Sequence, residues 1–241
     1  MPTDGLTLDA LTLTQGDFSL SADLTVPEGQ TIAVMGPSGG GKSTLLSGIA
    51  GFLSPTSGRI LWNGQDITPA APAQRPVTML FQEHNLFPHL TLAQNVGLAL
   101  GPSLKHAASP KVADALSRVG LETLGPRRPA EVSGGQRSRA ALARILLAGK
   151  PLVLMDEPFA ALGPGLKQDM LALVDETLRA AGRTLLMVTH DPADARAIAD
   201  QVIVVEESRA LPPTPTAELL DNPPPGLASY LGTSARARSS S

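Results

Sequence analysis

The chain has 241 residues, of which 42% are apolar and 17% charged, with a formal net charge of −3, no cysteine and four histidines. That is enough apolar side chain for one large domain or two small ones, and the small net charge argues against nucleic acid as a partner. A chain without cysteine has no disulfide framework and no thiolate metal site. From Met1 to Gly5 there is neither a basic nor an apolar leader, and no run of about 18 apolar residues occurs anywhere. The chain is therefore expected to be neither exported nor membrane-spanning.

In chain order, Leu6 to Leu8, Leu11 to Leu13 and Phe18 to Val26 read as short strands with turns at Gln15-Gly16-Asp17 and Pro27-Glu28-Gly29, an antiparallel start. The apolar run Thr31 to Met35 then enters Gly36-Pro37-Ser38-Gly39-Gly40-Gly41-Lys42-Ser43 and leaves through Thr44-Leu45-Leu46, a match to G-x-x-x-x-G-K-[ST] between a strand and a helix. The glycines let backbone N–H groups turn inward as a nest for phosphate oxygens beside a helix N-terminus. Lys42 would reach the β- and γ-phosphates, and Ser43 would place its hydroxyl on Mg²⁺. Gly58 to Trp62 followed by Asn63-Gly64 predicts a strand and hairpin turn, with Trp62 as packing rather than a base platform.

A Pro/Ala-rich linker from Pro69 to Pro76 leads to Val77 to Phe81, a short buried strand ending at Gln82. Leu86, Phe87 and Pro88 follow in a loop with exposed apolar side chains, and Thr91 caps a helical stretch through Leu100. Ser109-Pro110 opens an amphipathic helix carrying Val112, Leu116 and Val119, with Pro at its first position. Ser133-Gly134-Gly135-Gln136 opens the next helix, which runs to Gly149 and leaves free N–H groups beside Ser133. Pro151 to Pro158 predicts a buried parallel strand that ends in Asp156-Glu157. A helix with Leu166, Met170, Leu173, Val174 and Leu178 on one face comes next, then a buried strand from Thr184 to Thr189 ending at His190. Pro192 to Ala199 is expected to be helical and Gln201 to Val205 to be the last strand. The proline-rich segment after Leu211 is expected to be a loosely packed tail.

Three strands thus end in Gln82, Asp156-Glu157 and His190 beside the strand that feeds the phosphate loop, where open α/β sheets gather ligands. Asp156 suits the water shell of a metal ion, Glu157, pointing away from it, suits orienting or deprotonating an attacking water, Gln82 can bridge metal and water, and His190 can donate to the γ-phosphate. A soluble P-loop phosphotransferase would use the same phosphate loop, but it has no evident use for Ser133 to Gln136.

These motifs, in this order and at about this spacing, resemble the nucleotide-binding subunits of ATP-binding-cassette transporters from Leu6 to about Leu220. The resemblance implies an α/β fold: a P-loop NTPase core of mainly parallel strands, an antiparallel β subdomain and an inserted α-helical subdomain at about 88–150. The ATP-binding domain would span 1–232, with a disordered tail at 233–241. It further implies ATP and Mg²⁺ as cofactors, with Gly36, Pro37, Ser38, Gly39, Gly40, Gly41, Lys42, Ser43 and Thr44 binding ATP. Ser43, Gln82 and Asp156 would hold the metal, and Glu157, His190, Gln82 and Lys42 would be catalytic. Two copies would sandwich ATP head to tail, so that Ser133, Gly134, Gly135 and Gln136 reach the nucleotide of the second copy. The other implied partners are inner-membrane permease subunits and, indirectly, a periplasmic substrate-binding protein, with no nucleic acid, which would place the chain peripherally on the cytoplasmic face of the inner membrane.

Within the family, Arg75 to Leu98 and Thr184 to His190 look like the ATPases of thiamine importers; polyamine, iron and sulfate importers share much of the pattern. Non-transport cassette ATPases acting on DNA or ribosomes usually carry an insertion or second cassette that this sequence lacks. Two positions depart from the family. Gln15 stands where an adenine-stacking aromatic is usual, leaving only Phe18 nearby, and Gly163 stands where an Asp usually makes a cross-dimer contact.

Overall fold

The first two apolar triplets belong to a single strand, Gly5–Gln15 (β1). Its pairing register with the next strand, Phe18–Pro27 (β2), shifts between Leu8 and Leu11, where Ala10 takes φ 45°. One extra residue switches the inward parity of a strand. Leu6 and Leu8 before the bulge, and Leu11 and Leu13 after it, therefore all face the same core with at most 1% exposure. The sequence pattern looked like two strands because the period of two breaks there.

The computed structural model describes residues 4–81, 86–160 and 162–230. After β2 come Thr31–Met35 (β3), the helix Lys42–Ala50 (α1), and Ser57–Trp62 (β4) joined to Gln65–Asp66 (β5). The turn between β4 and β5 uses Asn63 at φ 49° and Gly64 at φ 75°, the left-handed pair that a two-residue hairpin needs. Trp62 is buried in the core, as a packing residue. Val77–Leu80 (β6) precedes the helices Leu92–Gly97 (α2), Pro110–Arg118 (α3) and Gly134–Ala148 (α4). Leu152–Asp156 (β7), Pro164–Ala180 (α5), Thr184–Val188 (β8), Pro192–Ile198 (α6) and Gln201–Glu206 (β9) follow.

The strands form one sheet in the order β5-β4-β1-β2-β10-β9-β3-β8-β7-β6, where β10 is the short strand Arg209–Ala210. Strands β9, β3, β8, β7 and β6 are mutually parallel, and β1, β2, β4 and β5 pair antiparallel. The hairpin from β9 to β10, with β10 parallel to β2, joins the two halves. One consequence matters most: β3, β7 and β8 all end on the same sheet edge, so the segments after Met35, Asp156 and Val188 converge.

The core has three parts. One packs the antiparallel strands and a face of the parallel strands around α1, and a second joins α2 to α5 to the opposite face through Val153, Met155, Leu185 and Met187. The third corrects the expectation of a loose tail. Thr216–Asp221 (α7) and Pro225–Tyr230 (α8) bury Leu219, Leu220 and Leu227 against Met35, Ala195, Val202 and Val204. The prolines set the helix starts and turns of that segment rather than preventing packing. A second correction concerns Leu86, which is partly buried against the helical part of the core, leaving Phe87 as the exposed apolar side chain of its loop at 47%. No described helix is long and apolar enough to cross a membrane.

Candidate nucleotide site

The phosphate loop is shaped by two glycines that tolerate no side chain. Gly36, at φ 146°, lies against the backbone of Val205, and a Cβ there would collide with its carbonyl oxygen. Gly41, at φ 102°, caps α1 without a side-chain bond, and a Cβ would stand 2.8 Å from the ring of Phe18. The first turn of α1 therefore offers its N–H groups to the loop. Lys42 is buried, and its ammonium donates to the carbonyls of Gly36 and Pro37, both at 2.8 Å. Burial pushes its pKa down, opposed by the carboxylates of Glu157 and Asp156. An ammonium has three donors, so one remains for a phosphate oxygen.

Asp156 ends β7 across from this helix. Burial holds its carboxyl above the usual carboxylate range and Glu157 adds to the rise, while a hydrogen bond from the Ser43 hydroxyl and the charge of Lys42 work against it. Glu157 was expected to point away from Asp156, as alternation along a strand demands. The structure differs, because Glu157 takes φ 44° immediately after the strand, with its N–H donating to the Val188 carbonyl at 3.2 Å. That left-handed residue breaks the alternation and brings both carboxylates toward Lys42. A left-handed non-glycine residue at a strand end is a strained geometry often kept where function requires it. His190, on the edge after β8, presents Nδ1 at 3.5 Å from a Glu157 carboxylate oxygen and leaves 59% of its side chain exposed.

Lys42, Ser43 and Glu157 line a cavity of about 470 Å³ together with Gln15, Phe18 and Ser38, among others. Phe18 and Gln15 are cross-strand partners at the β1–β2 turn, so both residues weighed for a base contact lie at the mouth. Gln82 lies outside the described residues.

Ser133 to Gln136 do not line this cavity. They form a complete capping box at the start of α4: the Ser133 hydroxyl accepts from the Gln136 N–H at 3.3 Å, and the Gln136 side chain accepts from the Ser133 N–H at 2.9 Å. The Ser133 O–H proton is not consumed by this cap, and the residue is exposed. Gly163 is extended at φ −66°, ψ 156°, as N-cap of α5 with open space around it. Its place therefore does not require glycine.

Two functional supports escaped the sequence reading. Arg75, inside the segment read as a linker, is 2% exposed and donates to the carbonyls of Gly48 and Ile49 at the end of α1 and of Thr68 and Ala70. Lys167 in α5 pairs with Asp191 and Asp194, which both follow His190 at the start of α6. A lone arginine in a Pro/Ala stretch was the only trace of the first.

Residues 20–160 match the family model described as ABC transporter. Among curated relatives, the Thiamine import ATP-binding protein ThiQ of Cereibacter sphaeroides is 58% identical over 229 residues, covering 94% of this chain and 99% of the relative. The protein of the same name from Ruegeria is 55% identical over 94% of this chain and 99% of its own length, and that from Yersinia pseudotuberculosis 49% over 90% and 92%. Among solved structures, the ATP-binding cassette MJ0796, a dimer in a post-hydrolysis state bound to ADP and phosphate, superposes with a TM-score of 0.76 at 26% identity, covering 88% of this chain and 98% of that one.

Proposed function

The chain belongs to the ABC transporter family, and from that premise we propose that it is the ATP-hydrolysing subunit of a thiamine importer, working as a head-to-tail dimer on a separate permease. The observation that carries the catalytic part is the convergence of Lys42, Ser43, Asp156, Glu157 and His190 on one sheet edge, where Lys42, Ser43 and Glu157 line one cavity, Asp156 is bonded to Ser43 and His190 stands beside Glu157. The substrate rests on relatives named for thiamine import at 45–58% identity over at least 90% of the chain.

The residues fit a nucleotide with a divalent cation. Ser43 and Asp156 supply hard oxygen donors of the kind Mg²⁺ takes, and the raised carboxyl of Asp156 beside Glu157 marks a place short of positive charge. Bound Mg²⁺ would neutralise phosphate charge as it develops. Lys42, Ser38 and the N–H groups at the start of α1 hold and orient the phosphates. Glu157 orients the attacking water and accepts its proton, and His190, 3.5 Å from that carboxylate, holds the glutamate and the γ-phosphate in one geometry. Ser133 and the Gly134 and Gly135 amides act on the nucleotide of the second copy, which accounts for a polar, glycine-opened helix start away from the chain's own phosphate loop.

Phe87, exposed in the loop that follows β6, is the apolar contact offered to the permease. This would hold the subunit at the cytoplasmic face of the inner membrane. The test is uptake by cells in which this chain is the sole copy: restored uptake of labelled thiamine, with spermidine, ferric iron and sulfate unaffected, is the expected outcome. Restored uptake of one of the other three instead would overturn the substrate assignment.

A further inference from the structure

His190 is the least secured of the groups at this edge, since 59% of its side chain is exposed and its contact with Glu157 is 3.5 Å long. The residues around it in sequence are, by contrast, tightly bound. Lys167 is one turn into α5, with its N–H on the Gly163 carbonyl at 2.9 Å, and its ammonium lies 2.7 Å from Asp191 Oδ2 and 2.6 Å from Asp194 Oδ1. Asp194 accepts through its other oxygen from the Thr189 hydroxyl at 2.7 Å, and that hydroxyl accepts from the Asp191 N–H at 3.1 Å. The remaining Asp191 oxygen caps α6 through the Ala193 N–H at 2.9 Å. Thr189, Asp191 and Asp194 are thus all fixed, directly or through one bond, by a single cation from the helix that follows Glu157.

A second, small hollow, distinct from the cavity beside Lys42, is lined by Glu157, Phe159, Lys167, Thr189, His190 and Asp194. Lys167 and Asp194 retain only 17% and 10% of their side-chain exposure, so their attraction is weakly screened. We infer that Lys167 is a positioning residue for His190: it ties the turn that carries the histidine to the helix that begins after Glu157, and so sets the distance between imidazole and carboxylate. The Thr189 hydroxyl and the Asp191 carboxylate capping α6 would order the turn internally, but without Lys167 nothing among these bonds registers it against α5. The cluster also carries two carboxylates for one ammonium, so loss of the cation leaves like charges facing each other at the foot of His190.

This inference rests on the ATPase reading for its kinetic readout, and a second readout is independent of turnover. In the permease complex, Lys167→Met is expected to lower kcat about tenfold while ATP affinity stays within about twofold, and Lys167→Arg is expected to keep more than half of the parent kcat. In a His190→Ala background, Lys167→Met should add no further loss, since it acts through the residue already removed. In the isolated chain, the imidazole proton signals of the four histidines, assigned with His190→Ala, should show the His190 signal shifted or broadened by Lys167→Met and restored by Lys167→Arg. Should Lys167→Met fail to fold, the double variant with Asp194→Asn removes one of the facing charges and is read the same way. An unmoved His190 signal, or an equal loss of kcat with and without His190, would overturn the inference. A parent complex that hydrolyses no ATP would instead contradict the proposed function, and the imidazole signal would still decide the role of Lys167.

Discussion

Removing the guanidinium of Arg75 should unfasten the helix that carries Lys42 and Ser43. Its donors satisfy four carbonyls, at 2.9 Å on Gly48 and Ile49, 2.8 Å on Thr68 and 3.0 Å on Ala70, and the residue is 2% exposed. Two of those carbonyls lie in the last turn of α1, where a cation also meets the negative end of the helix dipole. Burial pushes the Arg75 pKa down, and the charge of Asp66 opposes this. The carbonyls and the dipole solvate a charge that the core would otherwise reject. Arg75→Met keeps most of the volume and strips the donors. Gly48 keeps the Gly51 N–H, so three acceptors lose their donor, and at about 1 kcal/mol each the loss is about 3 kcal/mol. For a chain of this size that is a fall of about 10 °C in the melting temperature. Arg75→Lys keeps the charge but not the planar fork, so it should recover less than half of the loss. Thermal unfolding of the purified subunit with and without ATP and Mg²⁺ measures both effects, and nucleotide should rescue the Met variant less than the parent because the loop itself has lost its anchor. A melting temperature within about 3 °C of the parent would refute the claim that Arg75 anchors α1.

Glu157→Gln keeps size and hydrogen bonding but removes the carboxylate that handles the water, so it should bind ATP and accumulate as an ATP-bound dimer; size-exclusion chromatography with ATP checks this, and turnover above about a tenth of the parent rate would remove Glu157 from the role. Phe87→Ala should leave nucleotide affinity unchanged and weaken permease co-purification, and intact association with full transport would sink the docking assignment. Gly163→Asp meets no neighbour within 4 Å and adds a capping carboxylate to α5, so it should stabilise the fold by a few tenths of a kcal/mol and raise turnover of the assembled transporter; unchanged or lower turnover would mean that glycine there serves a different closed geometry. Asp156 has a raised carboxyl, so its ionisation weakens the fold as pH climbs from the usual carboxylate range through that higher value. Asp156→Asn should therefore melt higher than the parent near neutral pH without nucleotide and lose the Mg²⁺-dependent part of ATP binding, whereas a lower melting temperature would refute the sign.

The polar strand ends at Asp156-Glu157 and His190 were legible because each follows a run of buried apolar residues, and a polar residue there has no packing role to explain it. The helix start at Ser133 was legible, but its capping box with Gln136, three residues away within one sequence window, was not read. The β1 bulge was not, since a parity change at Ala10 is decided by partners in β2 and β4 rather than by local propensity. The direction of Glu157 was missed for the same cause, because alternation fails only where a single residue leaves the β region. Arg75 and Lys167 find their partners across long gaps, 26 and 27 residues back to the end of α1 for one and 24 forward for the other. No spacing rule announces such pairs. The packing of α7 and α8 depended on Leu219, Leu220 and Leu227 meeting a sheet face already built from β3 and β9, which a proline-rich composition conceals.

The central claim is that the edge bearing Lys42, Asp156, Glu157 and His190 spends ATP to drive thiamine import through a permease. It is tested most directly in proteoliposomes containing the complete transporter, by measuring ATP hydrolysis as thiamine-loaded binding protein is added on the opposite side. The account predicts hydrolysis that rises severalfold with the loaded binding protein, vanishes with Glu157→Gln and tracks thiamine uptake. Hydrolysis that ignores the loaded protein, or that survives in Glu157→Gln, would contradict it.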